Sequence, residues 1–267
     1  MDTQYRTVTS RDGTTIAYDQ QGDGPAVILV AGALCARLSW SGPQLARRLA
    51  PQFTVYNYDR RGRGDSGDTQ PYAVAREIED LDTLITAAGG SASLYGHSSG
   101  AALALEAAAA LGAKVTKVAL YDAPYHEDAE SRSAWNTYIG RLAEALATGR
   151  RGDAIALFME YVGTPHEQVA GMRHAPFWPA MEAIAPTLAY DHIALLGQDC
   201  GVPDDRAATV QVPALVMYGG ASHPVMQAAA RVLGRALPQA HLRALDGQTH
   251  DVQNEALAPV LETFFRG

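Results

Sequence analysis

Lysine is nearly absent from this sequence, since Lys114 and Lys117 are the only two and all other basic residues are arginines. The 21 basic residues are outnumbered by 29 acidic ones, which gives a formal net charge of −8. No segment gathers positive charge into the patch or stripe that neutralises a phosphate backbone. We therefore expect no nucleic-acid partner.

Cysteine and long apolar runs are also scarce. Cys35 and Cys200 are the only cysteines and form no CxxC pair, which favours a reduced protein, with a single structural disulfide as the alternative. The first residues, "MDTQYRTVTSRDG", lack the apolar centre of a signal peptide, and no apolar run is long enough to span a bilayer. The prediction is a cytoplasmic protein with no membrane partner.

What the sequence does contain is an alternation of apolar strand-like and amphipathic helix-like stretches. "PAVILVAG" has the continuous apolar character of a strand buried on both faces, and "FTVYNYD", "SASLYG" and "KVTKVALYDAP" follow it with helical stretches between them. "YRTVTS" and "TTIAYD" predict an antiparallel hairpin before the first buried strand. The pattern indicates an α/β fold with a mostly parallel central sheet flanked by helices.

The alternation stops in the middle of the chain and then resumes. From residue 124 to about residue 210 only helical stretches follow one another, whereas "VPALVMYGG", "AHLRALDG" and "NEALAPVLETFF" resume the strand–helix order. We predict a core formed by residues 1–123 and 211–267, with an inserted helical cap at residues 124–210. Ligands bind at the carboxyl ends of the strands in such sheets.

The most informative short segment is Gly96-His97-Ser98-Ser99-Gly100, which matches G-x-S-x-G between a predicted strand and a predicted helix. A sharp strand-to-helix turn would expose the Ser98 hydroxyl, and the flanking glycines would leave room for it. This register predicts Ser98 as a nucleophile and Ser99 as the donor of a backbone N–H. The alternative is that Ser98 only caps the helix, but the strand–turn–helix context favours the nucleophile.

The chain resembles the α/β-hydrolase fold over essentially its whole length. The segments that carry the resemblance are "VILVAGAL", "YNYDRRGRGDSG", "LYGHSSGAALALE" and "LDGQTHDV". The resemblance implies a serine, an acid and a histidine in that chain order, with helices covering the pocket. It implies that His250, in the loop before the last helix, takes the Ser98 proton; the alternative is a surface loop histidine.

The acid departs from the commoner pattern of that fold. Many members carry an aspartate after the penultimate strand, where this chain reads "YGGASHPVM", with Ser222 and His223. Some members place the acid after the preceding strand of the core, which here would be Asp122 in "KVALYDAP". Asp122 is the preferred candidate, and Asp246 is the alternative.

The resemblance also implies an oxyanion hole made by two backbone N–H groups. One belongs to Ser99, after the nucleophile, and the other to Ala33, with Leu34 as an alternative. The fold often carries His-Gly at this loop, whereas this chain has Ala31-Gly32. A backbone donor does not need the missing imidazole.

Two further clusters of charge have simpler interpretations. "DRRGRGDSG" predicts a salt-bridged turn among its own charged residues, with an anion site for substrate as the alternative: Asp59, Arg60, Arg61, Arg63 and Asp65. The carboxylates around His126 lack metal-ligand spacing. We expect neither a metal nor a cofactor.

Apolar and aromatic residues indicate the substrate class. Leu34 and His97 near the predicted turn, and Phe158 and Trp178 in the predicted cap, are the candidates for substrate contact, although cap residues at helical spacing more often form the core of the cap itself. We predict a serine hydrolase that cleaves a small to medium, mostly apolar ester, lactone or thioester through an acyl-enzyme. The alternatives are a C–C bond hydrolase, lyase or cofactor-independent haloperoxidase-like enzyme on the same scaffold, and a non-catalytic ligand-binding protein. The oligomeric state is left open.

Overall fold

A computed structural model describes residues 5–267, and its central feature is an eight-stranded sheet in the order β1-β2-β4-β3-β5-β6-β7-β8. The strands β1 to β8 are Arg6–Thr9, Thr15–Gln21, Ala26–Val30, Thr54–Tyr58, Ala92–His97, Val115–Tyr121, Ala214–Gly219 and Ala240–Leu245. β1 and β2 pair antiparallel, as do β2 and β4, while β4, β3, β5, β6, β7 and β8 are parallel. The predicted N-terminal hairpin and mostly parallel sheet are confirmed.

Helices cover both faces of the sheet. The helices α1 to α10 are Gly42–Leu49, Val74–Ala87, Ser99–Leu111, Ala129–Ala147, Arg151–Tyr161, His166–Met172, Trp178–Ile184, Asp204–Ala208, Pro224–Ala236 and Asn254–Arg266. Helices α1 and α10 pack together on one face, and α2 and α3 pack together on the other. In residues 5–267 no helix combines the length and the apolar character that a membrane crossing requires.

The burial of β3 on both of its faces explains why its sequence is continuously apolar. Val27 and Leu29 belong to the buried cluster under α1 and α10, whereas Ile28 and Val30 belong to the cluster under α2 and α3. Side chains alternate between the two faces of a strand, so a strand covered on both sides has no polar face.

The chain between β6 and β7 is helical. Residues 122–213 form α4 to α8 and their connections. They also include a short 3₁₀ turn at Ala185–Thr187 and a π-helical turn at Ala189–Leu195. The wider, π-helical turn at Ala189–Leu195 contacts α2, α3 and α4. This turn joins the helical segment to the helices that cover the sheet.

Candidate active site

Ser98 lies on the sharp turn between β5 and α3. Its φ is +56°, a left-handed conformation that is rare for a residue with a side chain, and its N–H donates to the carbonyl oxygen of Tyr121 at 3.0 Å. The Ser98 hydroxyl makes no capping hydrogen bond to the helix that it precedes. This geometry favours the nucleophile interpretation over that of a helix cap.

Close approaches of the backbone explain the glycines around the turn. A Cβ on Gly100 would lie 2.2 Å from the carbonyl oxygen of Val30, and one on Gly96 would lie 2.4 Å from the carbonyl oxygen of Gly100. A Cβ on Gly32 would lie 3.0 Å from the Cβ of Ser98. The loop after β3 therefore lies directly against Ser98.

Asp122 follows β6 and is completely buried. Its φ is +45°, and its Oδ2 lies 3.2 Å from Nδ1 of His250. Asp246 is exposed on the loop after β8. The structure thus brings Asp122 to His250 across 128 residues of chain.

Ser222 occupies the loop where the sequence pattern led us to look for an acid. Its hydroxyl donates to Oδ2 of Asp122 at 2.6 Å, and the N–H of Gly219 donates to Oδ1 at 3.2 Å. Both carboxylate oxygens of Asp122 are therefore held in place. Nothing in the sequence around Ser222 indicated this supporting role.

His97 connects the turn of Ser98 to the loop of His250. Its Nε2 lies 2.9 Å from the backbone carbonyl oxygen of His250, and the two rings are 4.8 Å apart between centroids. Because a carbonyl can only accept a hydrogen bond, Nε2 of His97 must carry the proton. Burial lowers the pKa of His97 to about 4, so its ring is neutral at pH 7. His97 thereby tethers the main chain of His250 beside Ser98.

The two predicted oxyanion donors lie in the two segments next to Ser98, which are α3 and the loop after β3. Ser99 is the first residue of α3, where backbone N–H groups have no acceptor within the helix. Ala33 lies in a turn closed by the N–H of Cys35 and the carbonyl oxygen of Gly32 at 3.4 Å, with Leu34 at a φ of +56°. Within residues 5–267 the Ala33 N–H makes no backbone hydrogen bond.

The arginine-rich loop after β4 differs from the self-contained salt-bridged turn that the sequence predicted. Asp59 and Asp65 do not pair with its arginines, because both bind Arg37, at 3.2 and 2.5 Å. The arginines of this loop instead form ion pairs with other elements; Arg61, for example, pairs with Asp80 of α2 at 2.7 Å. The prediction of a turn held by its own ion pairs was wrong.

The other two arginines of this loop meet at Asp191. Arg60 binds Asp191 at 2.7 Å and Glu77 at 2.7 Å, and Arg63 binds Asp191 at 2.5 Å, all four side chains being almost completely buried. Burial opposes the ionisation of Asp191, but Arg60 and Arg63 outweigh it and lower its pKa to about 2. Two positive and two negative charges cancel here, which argues against an anion site for substrate.

The predicted substrate contacts fall in two places. Leu34 is half-buried in the loop beside Ser98, whereas Phe158 is half-buried on α5 with its ring 5.3 Å from that of His192. Trp178 is buried among the helices, where its indole N–H donates to Glu182 at 2.9 Å. The described contacts of Trp178 therefore lie within the helical segment.

One cavity of about 370 Å³ lies among α4, α5 and α6, away from Ser98. Charged side chains dominate its lining: Arg141, Glu144, Arg150, Asp153, Glu160, His166 and Arg173. In the described range, 5–267, no three His, Cys, Asp or Glu side chains are grouped so that they could hold a metal ion.

Known proteins match this chain over between half and nearly all of its length. The sequence profile of the alpha/beta hydrolase family matches residues 27–263. The N-formylmaleamate deformylase of Pseudomonas putida is 32% identical over 144 residues, which are 51% of this chain and 52% of that protein. The matched stretch thus spans about half the length of that curated relative.

Two solved structures extend the comparison. A structure of an alpha/beta hydrolase from Sphaerobacter thermophilus has 50% sequence identity and a TM-score of 0.85, covering 97% of this chain and 100% of the other. The enol-lactonase of Burkholderia xenovorans has 22% identity and a TM-score of 0.72, covering 98% and 100%. At that identity the second match shows a shared fold.

Proposed function

Because this chain belongs to the alpha/beta hydrolase family, we propose that it is a serine hydrolase whose triad is Ser98, His250 and Asp122. The observation that carries the proposal is the 3.2 Å contact between the buried Asp122 carboxylate and Nδ1 of His250, beside the strained turn of Ser98. This contact orients the histidine and leaves its Nε2 to exchange a proton with Ser98.

The reaction follows from these positions. Ser98 Oγ attacks the carbonyl carbon of the substrate while His250 Nε2 takes the hydroxyl proton, and the carbonyl electron pair moves onto oxygen. The N–H groups of Ala33 and Ser99 donate to that oxyanion. When the tetrahedral intermediate collapses, the leaving group receives the proton from His250, and water then hydrolyses the acyl-enzyme by the same steps.

The substrate we propose is a small to medium, mostly apolar ester, lactone or thioester. Arg60 and Arg63, the buried cations near Ser98, are already neutralised by Asp191 and Glu77, so they offer no free charge to an acidic substrate. We propose Leu34, His97, Phe158 and Trp178 as substrate contacts, of which Leu34 and Phe158 are partly exposed apolar groups. Similar proteins are named as an enol-lactonase and a deformylase.

We also propose the division of the chain in function. Residues 1–123 and 211–267 would supply the triad and the sheet, and residues 124–210 would act as a cap over the site. The placement of the helical segment between β6 and β7, directly after Asp122, supports this division. A cytoplasmic location and a small-molecule partner complete the proposal.

Labelling with a fluorophosphonate tests the triad. We expect peptide mapping to find the label on Ser98, no label in Ser98→Ala, and a rate at least about 100-fold lower in Asp122→Asn, by analogy with triad aspartates. The matched control is Asp246→Asn, which should label at the rate of the unaltered protein because Asp246 is exposed. Labelling elsewhere than Ser98, or an equal rate in Asp122→Asn, would contradict the assignment.

A further inference from the structure

Two consecutive carbonyl groups in the loop before Ala33 are held by buried arginines. Nη1 of Arg63 donates to the carbonyl oxygen of Gly32 at 2.7 Å, and Nη1 of Arg60 donates to that of Ala31 at 3.2 Å. Both guanidinium groups are completely buried. Hydrogen bonds from a charged donor in such surroundings are strong and hold their acceptors in a fixed orientation.

The hydrogen bond from Arg63 to the Gly32 carbonyl also sets the direction of the Ala33 N–H. The carbonyl of Gly32 and the N–H of Ala33 belong to the same peptide unit, and in a trans peptide they point in opposite directions. Holding the Gly32 oxygen against Arg63 therefore turns the Ala33 N–H away from the arginine. The other bond to this oxygen, from the N–H of Cys35, is long at 3.4 Å.

Asp191 in turn fixes Arg63. Its Oδ2 binds Nη2 of Arg63 at 2.5 Å, and its Oδ1 binds Arg60 at 2.7 Å. Arg60 also lies 3.4 Å from the hydroxyl of Ser99. The cluster thus contacts both residues whose N–H groups are proposed to bind the oxyanion, Ser99 directly and Ala33 through its peptide.

We propose that Arg63, oriented by Asp191, is a positioning residue that aims the Ala33 N–H at the oxyanion formed on the substrate. This inference rests on the proposed hydrolase function. The competing explanation is that the cluster contributes to fold stability alone.

A charge-balanced variant separates the two explanations. Arg63→Met/Asp191→Asn removes one positive and one negative charge and leaves the pair of Arg60 with Glu77 intact. The matched control is Arg61→Met/Asp80→Asn, which removes another buried pair from the same loop. Arg61 binds Asp80, Asp12 and the carbonyl oxygen of Arg76, and none of its hydrogen bonds goes to the Ala31 or Gly32 carbonyl.

The readouts are turnover of p-nitrophenyl butyrate and affinity for an alkyl trifluoromethyl ketone, which forms a tetrahedral oxyanion on the nucleophile. For Arg63→Met/Asp191→Asn we expect kcat to fall about 10- to 100-fold and the ketone affinity to fall similarly, because an oxyanion donor acts in the transition state. KM should change by less than about threefold, since ground-state binding is untouched. The control should keep kcat and ketone affinity within about threefold, whatever its stability.

Unchanged kcat and ketone affinity in Arg63→Met/Asp191→Asn would overturn the inference, as would an equal loss in the control. If that variant fails to fold, Arg63→Lys preserves the charge but loses the two-pronged geometry. A fall in kcat and ketone affinity of more than about threefold at constant KM in Arg63→Lys supports positioning, and no change overturns it. Ser98→Ala is measured alongside, because turnover that persists there rejects the hydrolase proposal itself.

Discussion

The Asp122 carboxylate and the Ser222 hydroxyl lie together beside His250. Asp122 follows β6, and Ser222, in the loop where an acid was expected, donates to it at 2.6 Å. The same carboxylate oxygen faces His250 at 3.2 Å. Positions 122 and 222 therefore both lie within reach of the histidine, and a carboxylate at either could orient it.

Moving the carboxylate from position 122 to position 222 tests this explanation. We expect Asp122→Asn to lower kcat by about 10²- to 10⁴-fold, and Asp122→Asn/Ser222→Asp to recover at least about tenfold of that loss, because the new carboxylate can reach Nδ1 of His250. Steady-state turnover of p-nitrophenyl butyrate measures both. In the control, Asp122→Asn/His223→Asp, the added carboxylate is exposed and should recover nothing; equal recovery there would contradict the explanation.

At the scale of elements, α3 packs unusually close to β3. A Cβ on Gly100 would lie 2.2 Å from the carbonyl oxygen of Val30, a backbone atom that cannot rotate away. Gly140 in α4 is exposed, and among residues 5–267 no neighbouring atom lies within 4 Å of a Cβ built there. Replacing these two helical glycines by alanine should therefore change the free energy of unfolding in opposite directions.

We expect Gly100→Ala to lower the free energy of unfolding by about 2 kcal/mol or more, because α3 must move away from β3. Gly140→Ala should raise it by about 0.5–1 kcal/mol, because alanine loses less conformational entropy in a helix. Urea denaturation followed by far-UV circular dichroism measures both. Equal effects of the two substitutions would show that the contact with Val30 has no energetic consequence.

The elements and the turn of Ser98 could be predicted because their signals are local. Five consecutive residues define the G-x-S-x-G turn, and the apolar run of β3 reports burial of both its faces. The partners of the arginines could not be predicted, since Asp191 lies 128 residues from Arg63 in a stretch whose sequence indicated only a helix. Ser222 illustrates the same limit, because only the folded chain places its hydroxyl against Asp122.

At the scale of the whole molecule, the half-buried His97 and the buried His192 make stability depend on pH. Burial lowers the pKa of both His97 and His192 to about 4, whereas a histidine in the unfolded chain has a pKa near 6.5. Between these values the unfolded state binds more protons, so the free energy of unfolding falls as the pH decreases. Their contribution is fully present above about pH 6.5 and is lost progressively down to about pH 4.

The variant His97→Gln/His192→Asn removes both titrating rings and keeps polar groups in their places. Each histidine contributes up to about 1.4 kcal/mol per pH unit in its range, so the variant should lose less stability than the unaltered protein between pH 7 and pH 5. Urea denaturation at the two pH values measures this, and buried carboxylates that titrate in both proteins cancel in the comparison. An equal loss in both would contradict the assignment of the pH dependence to these histidines.

The pairing of Asp191 with two arginines also limits how the helical segment can move. Withdrawing this carboxylate would leave two buried positive charges against the single negative charge of Glu77, which costs several kcal/mol.

The contacts of α6 and α7 are different, because α6 packs on α5, and α7 packs on α5 and the neighbouring short turn. Any opening that admits a substrate should therefore involve α6 and α7, while residues 189–195 stay attached to α2, α3 and the arginines of the loop after β4. Hydrogen exchange read by mass spectrometry should find slower amide exchange in residues 189–195 than in residues 166–184, and the reverse order would contradict a fixed anchor.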